Sequence, residues 1–281
     1  MPRQLKITSA VLVAFALPAV LAAGPMVPDY EVHLLMDPTV VLDSNYRLTP
    51  TVLSSFAMPT TVTKINVQYL DTTTEDLYNE GWSCRVRNIE NDSGFDLTFK
   101  WRLPVNNGDI NGALNTAYND GWNSGQHNYD AQIDWLYTSQ TLSIQRDYSA
   151  STKGYSGTDD PNEKDSRSML ISNAPDMFDD WVSNNWGTDM LENAVIYGPI
   201  LTKRSIGTWN GVELDIEIWP IENSSGTGIE YIVEASFKTD NYTFASTGHS
   251  QLMALLQSNG WFLAQDASKE DLVMENYHPT S

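Results

Sequence analysis

Period-two alternation of apolar and polar residues dominates the chain after Asp29 and predicts a β-rich fold. In "TKINVQYLD", Ile65, Val67 and Tyr69 fall on one side, and Asn66 and Gln68 on the other. "GWSCRVRNI" sets Trp82, Cys84 and Val86 against Arg85 and Arg87. "LTFKWRL" sets Leu97, Phe99, Trp101 and Leu103 against Thr98, Lys100 and Arg102. The turn residues "ENDSG" between these two segments predict a hairpin. "AQIDWLYTS" and "TLSIQRDYS" predict two more strands around a turn near Ser139. Further on, Val212, Leu214, Ile216 and Ile218 alternate with Glu213, Asp215 and Glu217. Tyr231, Val233, Ala235 and Phe237 then alternate with Glu234, Ser236 and Lys238.

Three segments carry helical signals. "INGALNTAYNDG" is short and weakly patterned. "NAPDMFDDWVSNNWG" has Pro175 near its start and Gly187 past its end. "HSQLMALLQSNGWF" places Leu252, Leu255 and Leu256 at helical spacing, with Gly260 as C-cap. Residues 149–168, "SASTKGYSGTDDPNEKDSRS", read as a polar surface loop. Its acids lack the glycine-centred ligand loop of a calcium site. No internal repeat or composition shift divides the chain.

The first residues change the picture of where the protein works. Arg3 and Lys6 precede an apolar run from Val11 to Leu17, followed by Ala22, Ala23 and Gly24. This pattern predicts a signal peptide over 1–23 and a secreted, extracellular product. The run is too short for a lasting membrane span, so no membrane association is expected after cleavage. Asn91-Asp92-Ser93, Asn223-Ser224-Ser225 and Asn241-Tyr242-Thr243 are N-glycosylation sequons, which predicts a glycoprotein. Cys84 is the one cysteine and lies on an apolar strand face, so it reads as a buried thiol. The net charge of -20 argues against nucleic acid or an anionic membrane as partner. The four histidines, at 33, 127, 249 and 278, show no metal-ligand spacing, and "GYSG" lacks the spacing of a nucleophile elbow.

Charge is segregated within this acidic chain. Arg85, Arg87, Lys100 and Arg102 share the polar faces of neighbouring strands, where like charges repel. The acids collect elsewhere, on Glu213, Asp215, Glu217 and Glu234. A closed barrel would turn these groups toward one another across a lumen. A basic wall facing an acidic wall suits a polyanion together with a divalent metal.

"YLDTTTEDLYNEGWSCRVR", "LTFK", "LTKRSIGTW", "ELDIEIW" and "EASFK", in that order, resemble the CYTH superfamily, the triphosphate tunnel enzymes. The resemblance implies a β-dominated α+β fold: a closed antiparallel eight-stranded tunnel barrel with flanking helices, one domain over 30–277. It implies ligand-binding roles for Arg85, Arg87, Lys100 and Arg204, with Lys203 an alternative to Arg204; Arg102 and Lys238, on polar strand faces, are further ligand-binding candidates. It implies a divalent metal, magnesium or manganese, on Glu31, Asp215, Glu217 and Glu234 in any catalytic form. Glu31 and Glu234 would be the catalytic carboxylates.

The chain departs from the family's Glu-x-Glu-x-Lys opening, with Glu31, His33 and Leu35 at those positions. In the late strand Ser236 stands where a second acid is expected. Phosphoryl transfer depends on charge neutralisation by metal, so lost ligands harm hydrolysis more than binding. The expected function is therefore binding of a triphosphate- or polyphosphate-like ligand. The alternative is a metal-dependent phosphohydrolase of inorganic or organic triphosphates.

Overall fold

Nine strands close into a barrel in the computed structural model, which describes residues 23–151 and 153–277. The segment read as a signal peptide lies, but for Ala23, outside the described residues. The strands are β1 (Asp29–Met36), β2 (Thr63–Asp71), β3 (Trp82–Ile89), β4 (Phe95–Pro104), β5 (Asp130–Trp135), β6 (Gln140–Ala150), β7 (Val195–Trp209), β8 (Val212–Glu222) and β9 (Ile229–Thr239). Around the ring they run β1-β5-β6-β4-β3-β2-β7-β8-β9, with β9 pairing back onto β1.

The tunnel barrel is as expected, but two details differ. The strand count is nine, not eight, and the barrel is not wholly antiparallel. A closed ring with an odd number of strands cannot alternate direction throughout, so one adjacent pair must be parallel. That pair is β1–β5, in the register Glu31 to Asp134. The other seams are antiparallel. Tight turns set several registers. Asn210 and Gly211, both at positive φ, join β7 to β8 as a two-residue hairpin.

Outward strand faces are buried under two groups of helices. Trp82, Cys84, Phe99 and Trp101 pack with Trp122, Phe178 and Leu170 beneath the helices Ile110–Asn119 and Glu163–Asn173. Leu34, Ile216, Ala235 and Phe237 pack beneath the helix Tyr242–Ser258 with Leu252 and Leu256. A third cluster lies at one end of the barrel, where Tyr69, Trp219 and Ile221 meet Val273 and Met274. Among the described residues, no helix is long and apolar enough to cross a membrane.

Helix boundaries depart from the sequence reading for local reasons. The segment around Phe178 is split into Asp176–Asp179 and Trp186–Glu192, because the turn formers Ser183 to Asn185 intervene and Asn185 is left-handed. The last long helix starts at Tyr242, seven residues before His249, because the Asn241 side chain caps it at Phe244 N. The supposed loop 149–168 is shorter than expected: β6 runs to Ala150, and Asn162 caps a helix beginning at Glu163.

Between them, a short connection lies across the outer faces of β2 and β3. Asn66 donates to the Thr158 carbonyl at 3.0 Å, Asn88 to the Asp159 carbonyl at 2.8 Å, and Gln68 to the Pro161 carbonyl at 3.0 Å. Both Asp160 carboxylate oxygens are buried there without a hydrogen-bond partner. Burial, and then the charge of Asp159, raise the Asp160 pKa to about 8. Asp160 therefore takes up a proton on folding, and its contribution to stability falls as pH rises from its ordinary value toward about 8. Asp160→Asn is expected to raise the melting temperature at pH 9 by roughly 4 °C, with little change at pH 4. Thermal melts at the two pH values check this. A variant that melts lower at pH 9 would mean that the carboxylate has a stabilising partner.

Candidate functional site

Strand alternation carries one polar stripe from each wall into a cavity of about 510 Å³. On β3 and β4 the apolar residues take the outer face, so Arg85, Arg87, Lys100 and Arg102 project into the lumen. Arg85 Nη2 donates to Thr98 Oγ1 at 3.2 Å and forms no ion pair among the described residues. Arg87 Nη2 lies 3.5 Å from Asp96 Oδ2. The Nε atoms of both arginines are buried and lack partners. The neighbouring Arg85 charge, then burial, lower the Arg87 pKa to about 10. Lys100 reaches Asp134 Oδ2 only at 3.9 Å, and burial holds its pKa below the ordinary lysine value. These three cations are short of negative charge.

The acidic wall is differently satisfied. Glu217 on β8 and Glu234 on β9 stand directly opposite one another in register. Lys269 Nζ lies between them, 2.5 Å from Glu217 Oε2 and 2.7 Å from Glu234 Oε1. Burial alone would raise the Glu234 pKa, but Lys269 and His33 hold it below the carboxylate range. Glu217 is likewise held well down against its burial, by Lys269 and Arg204. A second opposed pair, Glu31 and Asp134, sits across the parallel seam. His33 Nε2 lies 3.6 Å from Glu31 and 3.7 Å from Asp134, while its Nδ1 is 3.0 Å from Glu234 Oε1. Burial would lower the His33 pKa, but Glu31 and Glu234, with hydrogen bonds to Asp134 and Glu234, raise it to about 10. Asp215 differs from its neighbours. Its Oδ1 is buried without a partner, and burial raises its pKa to about 6 despite Arg204 at 3.5 Å.

One end of the lumen is filled by the helix Lys269–Asn276, which the sequence reading did not find. Ser268 caps it by accepting from Asp271 N at 3.1 Å, and Tyr78 donates to Asp271 at 3.0 Å. Buried Val273 and Met274 fasten it to the apolar end of the barrel. Its first turn presents Lys269 to the acids and Glu270 to Arg102, as a two-pronged ion pair.

The residues singled out from sequence therefore divide into two sets. Arg85, Arg87 and Lys100 are close together and largely free of acids. Arg102 is held by Glu270, Arg204 by Glu217 at 2.7 Å, and Lys238 by Glu31 at 3.0 Å from an exposed rim position. Arg204, not Lys203, is the β7 cation that lines the lumen. Sequence reasoning missed Asp134, Lys269 and Glu270. Asp134 could have been found, since it alternates with Ile133 and Trp135 as the lumen residues of other strands do. Lys269 and Glu270 reach the site through tertiary packing, and no strand period marks them.

The proposed metal ligands Glu31, Asp215, Glu217 and Glu234 do not come together as one set. Among the described residues, the three ligand atoms within 4.8 Å of one another belong to Glu31, His33 and Asp134. An imidazole with two carboxylates fits zinc or iron better than magnesium, once His33 has given up its proton. Glu217 does not fit a metal in this arrangement. Its Oε1 accepts from Arg204 Nε, with Arg204 Nη2 2.7 Å away as an ion pair, and its Oε2 accepts from Trp219 Nε1 and Lys269.

No family model and no curated protein matches this chain in sequence. Solved structures of similar shape do exist. A proposed adenylyl cyclase from Hippeastrum, described as having a dominant triphosphatase activity, is 14% identical with a TM-score of 0.49. That alignment covers 87% of this chain and 94% of that one. A proposed adenylate cyclase from Bacillus halodurans is 12% identical with a TM-score of 0.47, covering 86% and 95%. One from Vibrio parahaemolyticus is 12% identical with a TM-score of 0.42, covering 88% and 99%. Likeness at this level concerns shape and says nothing of ligand or activity. The architecture is a closed barrel whose basic and acidic walls face a common lumen.

Proposed function

We propose that this is a secreted tunnel protein that binds a small polyanion, a triphosphate or a short polyphosphate, against β3 and β4. The observation that carries the reading is the pair Arg85 and Arg87. Two guanidiniums crowd each other in a partly buried lumen, with buried Nε donors unpartnered, Asp96 at 3.5 Å from Arg87, and Asp147 acting on Arg87 as well. Such donors gain most from an anion with several oxygens at close spacing. Lys100, on the neighbouring strand, extends the same basic patch. Secretion rests on the charged, apolar and small-residue order of the first residues. The sequon asparagines Asn91 and Asn241 are exposed, as glycan attachment requires.

Thermal denaturation in low salt with tripolyphosphate tests the reading. A ligand bound only by the folded state stabilises it by about 2.7 kcal/mol at a hundred times Kd, so the melting temperature should climb with concentration. No rise at millimolar tripolyphosphate would refute an anion site in the lumen. Expression in eukaryotic cells followed by glycosidase treatment tests secretion, through recovery from the medium and a drop in mass.

A second reading, a metal-dependent triphosphate hydrolase, is favoured by the convergence of Glu31, His33 and Asp134. Phosphate release with magnesium or manganese distinguishes the two. We expect release well below one turnover per second. Turnover at or above about one per second would put the hydrolase reading first.

A further inference from the structure

We infer that Lys269 is the resident cation of this tunnel, standing between Glu217 and Glu234 where a divalent metal would otherwise bridge them. The inference rests on the anion-binding reading and adds that the anion is held without metal at this pair. Three observations support it. First, Glu217 and Glu234 are direct cross-strand partners facing the same lumen, an arrangement of like charges that is unfavourable unless a cation intervenes. Lys269 Nζ supplies that cation at 2.5 and 2.7 Å.

Second, the lysine is placed against its local preference. It occupies the first position of its helix, where the macrodipole disfavours positive charge. The helix is nevertheless fixed there by the Ser268 cap, the Tyr78–Asp271 hydrogen bond and buried Val273 and Met274. The Trp219 ring, 5.2 Å from Nζ, lines the ammonium's other side. Third, both oxygens of Glu217 are already engaged by protein cations and donors. Oε1 is paired with the Arg204 guanidinium and Oε2 accepts from Trp219 and Lys269, so a metal could enter only by expelling Lys269 or Arg204.

The test is direct titration of the full chain with manganese alone, reading free Mn²⁺ by electron paramagnetic resonance. Lys269→Met keeps length and apolar contact but removes the charge, leaving two opposed carboxylates without it. We expect the variant to bind manganese at least about tenfold more tightly than the natural protein, a difference of about 1.4 kcal/mol. Equal affinities, within about twofold, would overturn the inference. Circular dichroism establishes whether Lys269→Met folds. If it does not, Glu217→Gln decides. With Lys269 as the resident cation, this change should leave the natural protein's manganese affinity unaltered. A loss of tenfold or more would place a metal on Glu217 and overturn the inference. The manganese comparison stands apart from tripolyphosphate binding. Failure to bind the anion would remove the functional reading and leave the assignment of Lys269 to be judged on its own result.

Discussion

Replacing Arg85 and Arg87 together with alanine is expected to weaken tripolyphosphate binding at least about a hundredfold while making the ligand-free barrel more stable. The loss follows from removing two charge-assisted contacts, each on the order of 1.5–3 kcal/mol. The gain in stability has a separate cause. The Arg87 pKa is lowered to about 10, first by Arg85 and then by burial, so the folded state disfavours its charge. The nearest acid, Asp96 at 3.5 Å, is only half-buried and relieves little of this. Removing both guanidiniums relieves the repulsion. Calorimetric titration and thermal melts of the same samples measure the two effects. Affinity within threefold of the natural protein would mean that the anion binds elsewhere, and a lower melting temperature would mean that the arginines are structural.

Trp82→Ala is expected to destabilise the fold by about 3–5 kcal/mol, whereas Trp82→Phe should cost far less. Trp82 is fully buried, with ring centroids of Phe178, Trp181 and Trp122 at 5.1, 5.7 and 5.9 Å. Truncation would leave a large void among side chains that other helices hold in place. Phenylalanine fills much of that volume and also removes an indole N–H that lacks a hydrogen-bond partner. For a chain of this size, each kcal/mol shifts the melting temperature by roughly 2–4 °C, so Trp82→Ala should melt about 10 °C lower. Urea denaturation of both variants checks the ordering. Equal losses for alanine and phenylalanine would show that the indole makes a specific contact.

These three residues also show how much of the protein is legible in its sequence. Trp82, Arg85 and Arg87 lie on one short strand, and strict period-two alternation separates core from lumen without any knowledge of neighbours. The same reasoning assigns Lys100, Arg102, Glu217 and Glu234 to the lumen. Their partners were not legible. Arg102 meets Glu270 across 168 positions of chain, and Lys269 meets Glu217 across 52. Such pairings depend on where the last helix docks, which is decided by Val273 and Met274 against the end of the barrel. The parallel seam was hidden as well, because alternation fixes which face a residue takes but not which strand lies beside it. His33 is the intermediate case. Its place on β1 was readable, but its contact with Glu234 needed the β1–β9 register, and its contact with Asp134 needed β5.

The position of β1 bears on how the chain reaches this structure. The strand nearest the N-terminus is hydrogen-bonded on one side to β5, about a hundred residues later, and on the other to β9, about two hundred later. During synthesis β1 therefore waits with both edges unpaired until almost the whole chain is available. Only the β2–β3–β4, β5–β6 and β7–β8–β9 pairings can form early, between strands that follow one another in the chain. Ring closure is then a late event of high contact order and should be slow compared with these pairings. The exposed edges of β1, rich in Val32, Leu34 and Leu35, are the part of the nascent protein most open to wrong pairing between chains.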